Sequence, residues 1–151
     1  MSDWNFKGQS SVEYLSIVAI ALMVLIPGSY LFLNYSRGAT EQVSGNQLNL
    51  AGREILAEAE KMHVVGTNSW VTLDVSLPGT FIEGAIVDGQ EFYFKYGTRS
   101  GESYTVFFPV GFQISNSADA PCVDECDLGF TVGLNKVRVQ SQGGFVSIVK
   151  K

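Results

Sequence analysis

From Tyr14 to Ser36 the chain contains no charged residue. Leu15 to Ile26 is apolar apart from Ser16, and Leu31, Phe32 and Leu33 carry the apolar character past Pro27-Gly28. Roughly twenty such residues, rising about 1.5 Å each as a helix, cross a ~30 Å hydrocarbon layer. The segment therefore reads as a membrane-compatible helix. Pro27 withholds one backbone donor and Gly28 adds local weakness, so a kink or loosening is expected there.

The rest of the chain is different in kind. At 151 residues it is long enough for one domain plus an appendage. The net charge of −5 comes without any run of Lys or Arg, which leaves nucleic-acid binding through phosphate neutralisation almost nothing to work with. Acidity at low charge density suits a surface facing the medium.

A secretory signal peptide has a short apolar region followed by a small-residue cleavage site. Here the apolar region is too long, and it continues beyond Pro27-Gly28-Ser29. A plain N-terminal anchor fits better but leaves Glu13 unexplained. A carboxylate at the edge of an apolar span costs a few kcal/mol, roughly, on insertion scales. The span offers it no basic partner.

Lys7-Gly8-Gln9-Ser10-Ser11-Val12-Glu13-Tyr14 resembles the archaeal class III signal sequence of type IV pilin-like proteins, Gln-x-Ser-x-Glu-Tyr after a Lys-Gly or Arg-Gly. The resemblance implies that a prepilin-type peptidase cuts between Gly8 and Gln9, which makes Glu13 the fifth residue of the mature chain, where such pilins have glutamate. It also implies that the apolar helix is kept as the core of a filament. The new α-amino group on Gln9 of a neighbouring subunit would then neutralise Glu13, since a paired buried charge costs far less than an unpaired one. Archaellins carry glycine where this chain has Ser11, and bacterial tight-adherence pseudopilins lack the Gln-x-Ser pattern, so an archaeal adhesion-type pilin is the nearer likeness.

The organisation that follows is a leader at 1–8, an apolar helix at 9–36, an amphipathic helix at 37–66 and a β-rich head at 67–151. The implied partners are other copies of the chain or other pilins, the peptidase and assembly machinery, and the membrane before assembly. Nucleic acid is not among them. The location expected is the cytoplasmic membrane for the precursor and an extracellular filament thereafter. An uncleaved, monomeric, membrane-anchored surface protein with a β ectodomain is the alternative.

Beyond Arg37 the sequence turns polar but keeps a helical period. Positions 45, 48, 52, 55, 59, 62 and 66 form an apolar and small-residue stripe, opposite Glu41, Asn46, Arg53, Glu54 and Lys61. Gly38, Gly45 and Gly52 each cost about 1 kcal/mol of helix propensity, and the helix is expected to be least regular between Gly38 and Gly45.

Past Gly66 the period becomes two. Strands are expected at 70–77, 81–87, 91–96, 104–108, 111–115, 129–134, 136–140 and 145–150. Pro78-Gly79, Asp88-Gly89, Arg99-Ser100-Gly101, Leu134-Asn135 and Gly143-Gly144 are the turns between them. The fold class is α+β: a long N-terminal helix, apolar then amphipathic, carrying an antiparallel β head of sandwich or curved-sheet type.

Cys122 and Cys126, separated by three residues, are a candidate disulfide for an extracellular head, with two separate thiols as the alternative. Asp119, Asp124, Glu125 and Asp127 cluster there but lack the glycine-punctuated spacing of a calcium loop. Asn34-Tyr35-Ser36 is the one Asn-x-Ser/Thr sequon, making Asn34 a candidate glycosylation site. His63, the single histidine, has no nucleophile motif nearby and reads as a packing residue. No metal, cofactor or catalytic set is expected.

Overall fold

The computed structural model describes residues 5–98 and 101–151, with side chains at 12–36, 42–98 and 101–151. The expected turn at Arg99-Ser100 lies outside the described residues. The fold is α+β. Helix α1 (Asn5–Val65) is followed by strands β1 (Trp70–Leu77), β2 (Phe81–Val87), β3 (Glu91–Gly97), β4 (Ser103–Pro109), β5 (Ile114–Ser115), β6 (Glu125–Asp127), β7 (Gly133–Ser141) and β8 (Val146–Lys150). The chain divides between Thr40 and Glu41 into two units.

The strands form two four-stranded sheets, ordered β1-β7-β8-β5 and β4-β3-β2-β6. In β1, Val75 and Leu77 are buried while Thr72, Asp74 and Ser76 face solvent, the alternation of a half-covered strand. β1 pairs antiparallel with β7 from Trp70↔Gln140 to Leu77↔Gly133. β2 and β3 are joined through Asp88 and Gly89, both at positive φ. β7 and β8 make the closing hairpin.

One core joins the helix to both sheets within residues 41–151. Leu48, Ala51, Ile55, Ala59 and Met62 of α1 share it with Phe92, Phe94 and Phe108 of one sheet and Val137, Val139 and Ile148 of the other. Phe92 stacks on Phe108 at 4.8 Å, and Phe94 meets Phe108 edge-on at 5.7 Å, both favoured aromatic geometries. Gly52 is what allows the helix to lie so close: a β-carbon there would overlap the Phe108 ring.

The helix ends at Gly66, whose φ of +94° places it in the left-handed region and whose N–H donates to the Met62 carbonyl at 3.1 Å, an αL stop. The Ser69 hydroxyl donates to the carbonyls of Gly66 and Met62 at 2.7 and 3.2 Å. Asn68 N–H donates to Ser141 O, and Ser141 N–H returns a bond to Ser69 O. The turn from helix to first strand is thus held by hydrogen bonds at Gly66, Asn68 and Ser69.

Five expectations need correction. Residues 38–45 are helical throughout; at the end of this stretch Ser44 and Leu48 are buried against the head, where packing outweighs the propensity cost of Gly45. Residues 129–132 are not a strand, and Leu134-Asn135 is not a turn but lies inside β7. Asn135 is 1 % exposed, and its side-chain oxygen accepts from Thr131 N–H and hydroxyl at 2.9 and 3.3 Å. Its amide donates to the carbonyls of Thr131 and Gly133 at 2.5 and 3.0 Å. The residue folds the preceding segment back onto the strand instead of turning the chain itself.

Residues 111–115 yield only Ile114–Ser115 as strand, because the single bonds Val110 N–H to Gln90 O and Ile114 N–H to Gly89 O reach a turn instead of a ladder. Finally, β5 runs parallel to β8, so that sheet is mixed, while the other is antiparallel throughout.

Candidate functional site

Residues 12–36 are exposed on every side of the helix. Val12–Ser36 is long and apolar enough to cross a membrane, and its most apolar 18 residues, with a mean hydropathy of 2.2, are wholly unburied. Twenty-five helical residues span about 37 Å. Two serine hydroxyls inside the segment are satisfied by the helix itself: Ser16 donates to Val12 O at 2.9 Å and Ser29 to Leu25 O at 2.7 Å. Pro27 lies inside the helix and gives no donor to the Met23 carbonyl one turn earlier. At Gly28 nothing lies within 4 Å of a notional β-carbon, leaving a notch bordered by Val24, Leu25, Ser29, Phe32 and Leu33.

Glu13 sits one residue inside this segment and is exposed. Among the described residues none of the ion pairs involves it. The side chains of Lys7 and Gln9 lie outside the described residues, as does the residue 1–4 part of the expected leader. Asn34 is exposed on the helix, within the apolar segment.

In the head, Cys122 and Cys126 form a disulfide with Cα atoms 6.1 Å apart. Cys122 is buried beneath β2, and Cys126 pairs with Ile86 in the β2–β6 ladder. The bridge therefore ties the short edge strand β6 to the core. Glu125 and Asp127, on either side of Cys126, line a surface hollow with Glu83, Gly84, Ala85 and Tyr93.

The Tyr93 hydroxyl donates to Glu125 Oε1 at 2.5 Å. That bond, then burial, then the carboxylates of Glu125, Glu83 and Asp127 push the phenol up to about 12, since each disfavours the phenolate. The carboxylates are in use: Glu83 accepts from Lys95 at 3.0 Å, and Asp127 Oδ1 accepts from Gly129 N–H at 2.8 Å. Among the described residues no cluster of three or more His, Cys, Asp or Glu is arranged to hold a metal ion. His63 stacks on Phe112 with centroids 4.4 Å apart and planes 7° from parallel.

Two features were not anticipated from sequence. One is β6 with its Tyr93–Glu125 tether, for which Cys-Val-Asp-Glu-Cys carries no apolar alternation. The other is a second apolar line on α1. Val43, Leu50, Ala57 and Val64 are exposed on the side that was expected to be polar, among exposed Asn46, Arg53, Glu54 and Lys61; the side chain of Glu41 lies outside the described residues. Their seven-residue spacing is legible in the sequence and would have revealed them.

Comparison with protein-family models, with curated proteins and with solved structures finds no match to this chain. The α+β fold and the membrane-compatible N-terminal helix thus stand on the chain's own residues.

Proposed function

We propose that this chain is a structural subunit of an archaeal type IV pilus-like surface filament serving adhesion. The observation that carries the reading is the helix segment Val12–Ser36, apolar and uncovered on all sides, with a single carboxylate, Glu13, at its start. An apolar helix of this length needs either lipid or other helices around it. The sequence Lys7-Gly8-Gln9 just ahead supplies a prepilin-type cutting position, and the cut would supply an amine.

In this reading the precursor is held in the cytoplasmic membrane by the apolar helix and cut after Gly8. It is then extracted so that its helices pack as the filament core, with the β head outward. Glu13 of an incoming subunit pairs with the Gln9 amine of a neighbour and fixes the axial register. A disulfide-bonded head suits an oxidising exterior. The subunit has a structural role and not an enzymatic one.

Mass spectrometry of the surface-exposed protein tests the reading: a mature N-terminus at Gln9 is expected. Retention of residues 1–8 would instead favour the monomeric membrane-anchored protein with a β ectodomain, which the same apolar span supports.

A further inference from the structure

We infer that Arg138 and Trp70, neighbours on the outer face of the β1–β7 pair, form a binding site for a carboxylated sugar, such as a uronic acid unit of an acidic polysaccharide. As the ligand of an adhesive filament this sugar rests on the reading above. The site itself lies in the head, and binding there does not require filaments to form.

Arg138 comes first, because it has a cation's donors and no anion. Its guanidinium carbon lies 4.7 Å from the centroid of the Trp70 ring, a cation–π contact. Its Nε is buried with no hydrogen-bond partner among the described residues, and none of their ion pairs involves it. Asp74, on the same face, is engaged by Lys136 at 3.9 Å. In a chain with 15 acidic and 10 basic residues, a half-buried arginine held by an indole instead of a carboxylate is set to take a carboxylate from outside. With Nε buried, the terminal Nη1–Nη2 edge is the part that a ligand from solvent meets. That edge is a planar fork matched to the two oxygens of a carboxylate.

Trp70 then supplies a surface beside the fork. It remains 57 % exposed with Arg138 over its ring, on a face that is otherwise polar. The register Trp70↔Gln140, Thr72↔Arg138, Asp74↔Lys136 sets these six side chains on one side of the sheet. A saturated sugar ring offers positively polarised C–H bonds on its flat side and hydroxyls at its rim. The electron-rich face of an indole attracts the first, and the hydroxyl of Thr72 and the amide of Gln140 are placed for the second.

Other anions use less of the site. Phosphate or sulfate would engage Arg138 and gain nothing from Trp70. A nucleic acid needs several phosphates neutralised together, and of these six residues two are cationic, one of them already paired. An extended peptide adds along the edge of a sheet, whereas these side chains stand on its face. A carboxylate carried on a sugar ring is the ligand that engages both Arg138 and Trp70.

The test titrates the full chain in detergent micelles with an oligogalacturonate of defined length, in a Trp4→Phe background that leaves Trp70 as the one tryptophan. A saturable change in Trp70 fluorescence is expected. The methyl-esterified oligomer, poly-glutamate and inorganic phosphate should each bind about tenfold more weakly or worse, the loss that follows from removing one charge-assisted contact. By calorimetry, Arg138→Gln and Trp70→Ala should weaken oligogalacturonate binding by a similar factor with the far-ultraviolet circular dichroism unchanged. The comparison of acid with ester needs no variant at all. No saturable change, equal binding of the ester, poly-glutamate or phosphate, or undiminished binding by Arg138→Gln overturns the inference. Normal filaments from a chain that ignores the oligomer overturn the site and leave the filament reading standing. A chain that binds the oligomer but is never cut after Gly8 does the reverse.

Discussion

The Phe108 ring occupies the position that a β-carbon on Gly52 would take. Helix and sheet therefore meet at a point where the helix has no side chain to withdraw, and Phe108 is itself fixed by stacking on Phe92 and by the edge of Phe94.

Gly52→Ala should consequently destabilise the head. Alanine gains about 1 kcal/mol of helix propensity, but overpacking a filled core costs about 1–3 kcal/mol, and an aromatic ring between two others has little room to give. At Gly45 the nearest atom to a notional β-carbon is the Tyr96 hydroxyl, at 2.9 Å, the free end of a side chain that can swing aside. Gly45→Ala should be neutral or stabilising. Thermal melts of the two variants should move apart, Gly52→Ala downward; equal melts would contradict the packing argument.

Asn135→Ala should be among the costlier polar substitutions. It leaves the Thr131 N–H and the carbonyls of Thr131 and Gly133 without the partners they now have. An intramolecular hydrogen bond is worth about 0.5–1.5 kcal/mol net, and several are lost together here. Denaturant unfolding should show the loss in midpoint without a change in slope, since the surface exposed on unfolding is unaltered.

Tyr93 should titrate late. Its phenol is raised from 10.0 to about 12 in the folded head, so the protonated form is the one that folding favours. Its contribution is fully present below pH 10 and is lost as the pH rises through about 12. Ultraviolet titration should show a tyrosine ionising well above the usual phenol range, and Glu125→Gln should bring it down towards that range. A late tyrosine that survives Glu125→Gln would point to another cause.

On the proposed filament reading, Glu13→Gln should leave cutting after Gly8 intact while impairing assembly, because the amide cannot neutralise a neighbour's Gln9 amine. Mature mass and filament yield by electron microscopy check the two halves separately. Normal filaments would remove the charge pair from the account of assembly.

Much of this architecture was legible in the residues. β1 and β2 fall where alternation placed them, and the stripe through Leu48, Ile55 and Met62 is buried as its period required. What escaped depends on partners distant in sequence. Asn135 has local turn character, yet its bonds with the Thr131–Gly133 segment hold it inside a strand. Residues 125–127 look like a solvated acidic loop until Cys126 is tied to Cys122 and laid along Ile86. The reading of residues 12–36 as an assembly segment came from the absence of charge and the placement of Glu13, both visible without coordinates. The apolar line opposite the core was visible too, but a single residue per two turns is easily lost among charged neighbours.

The joint between α1 and β1 has a mechanical consequence. Gly66 to Ser69 could pay out roughly 13 Å if fully extended, but they are folded into a capped turn and clamped to Ser141. A pull on the helix would find no slack to take up and would pass directly into the β1–β7 ladder, from Trp70↔Gln140 onward. If the proposed filament is put under tension, such a joint would make each subunit respond as a stiff link instead of a spring.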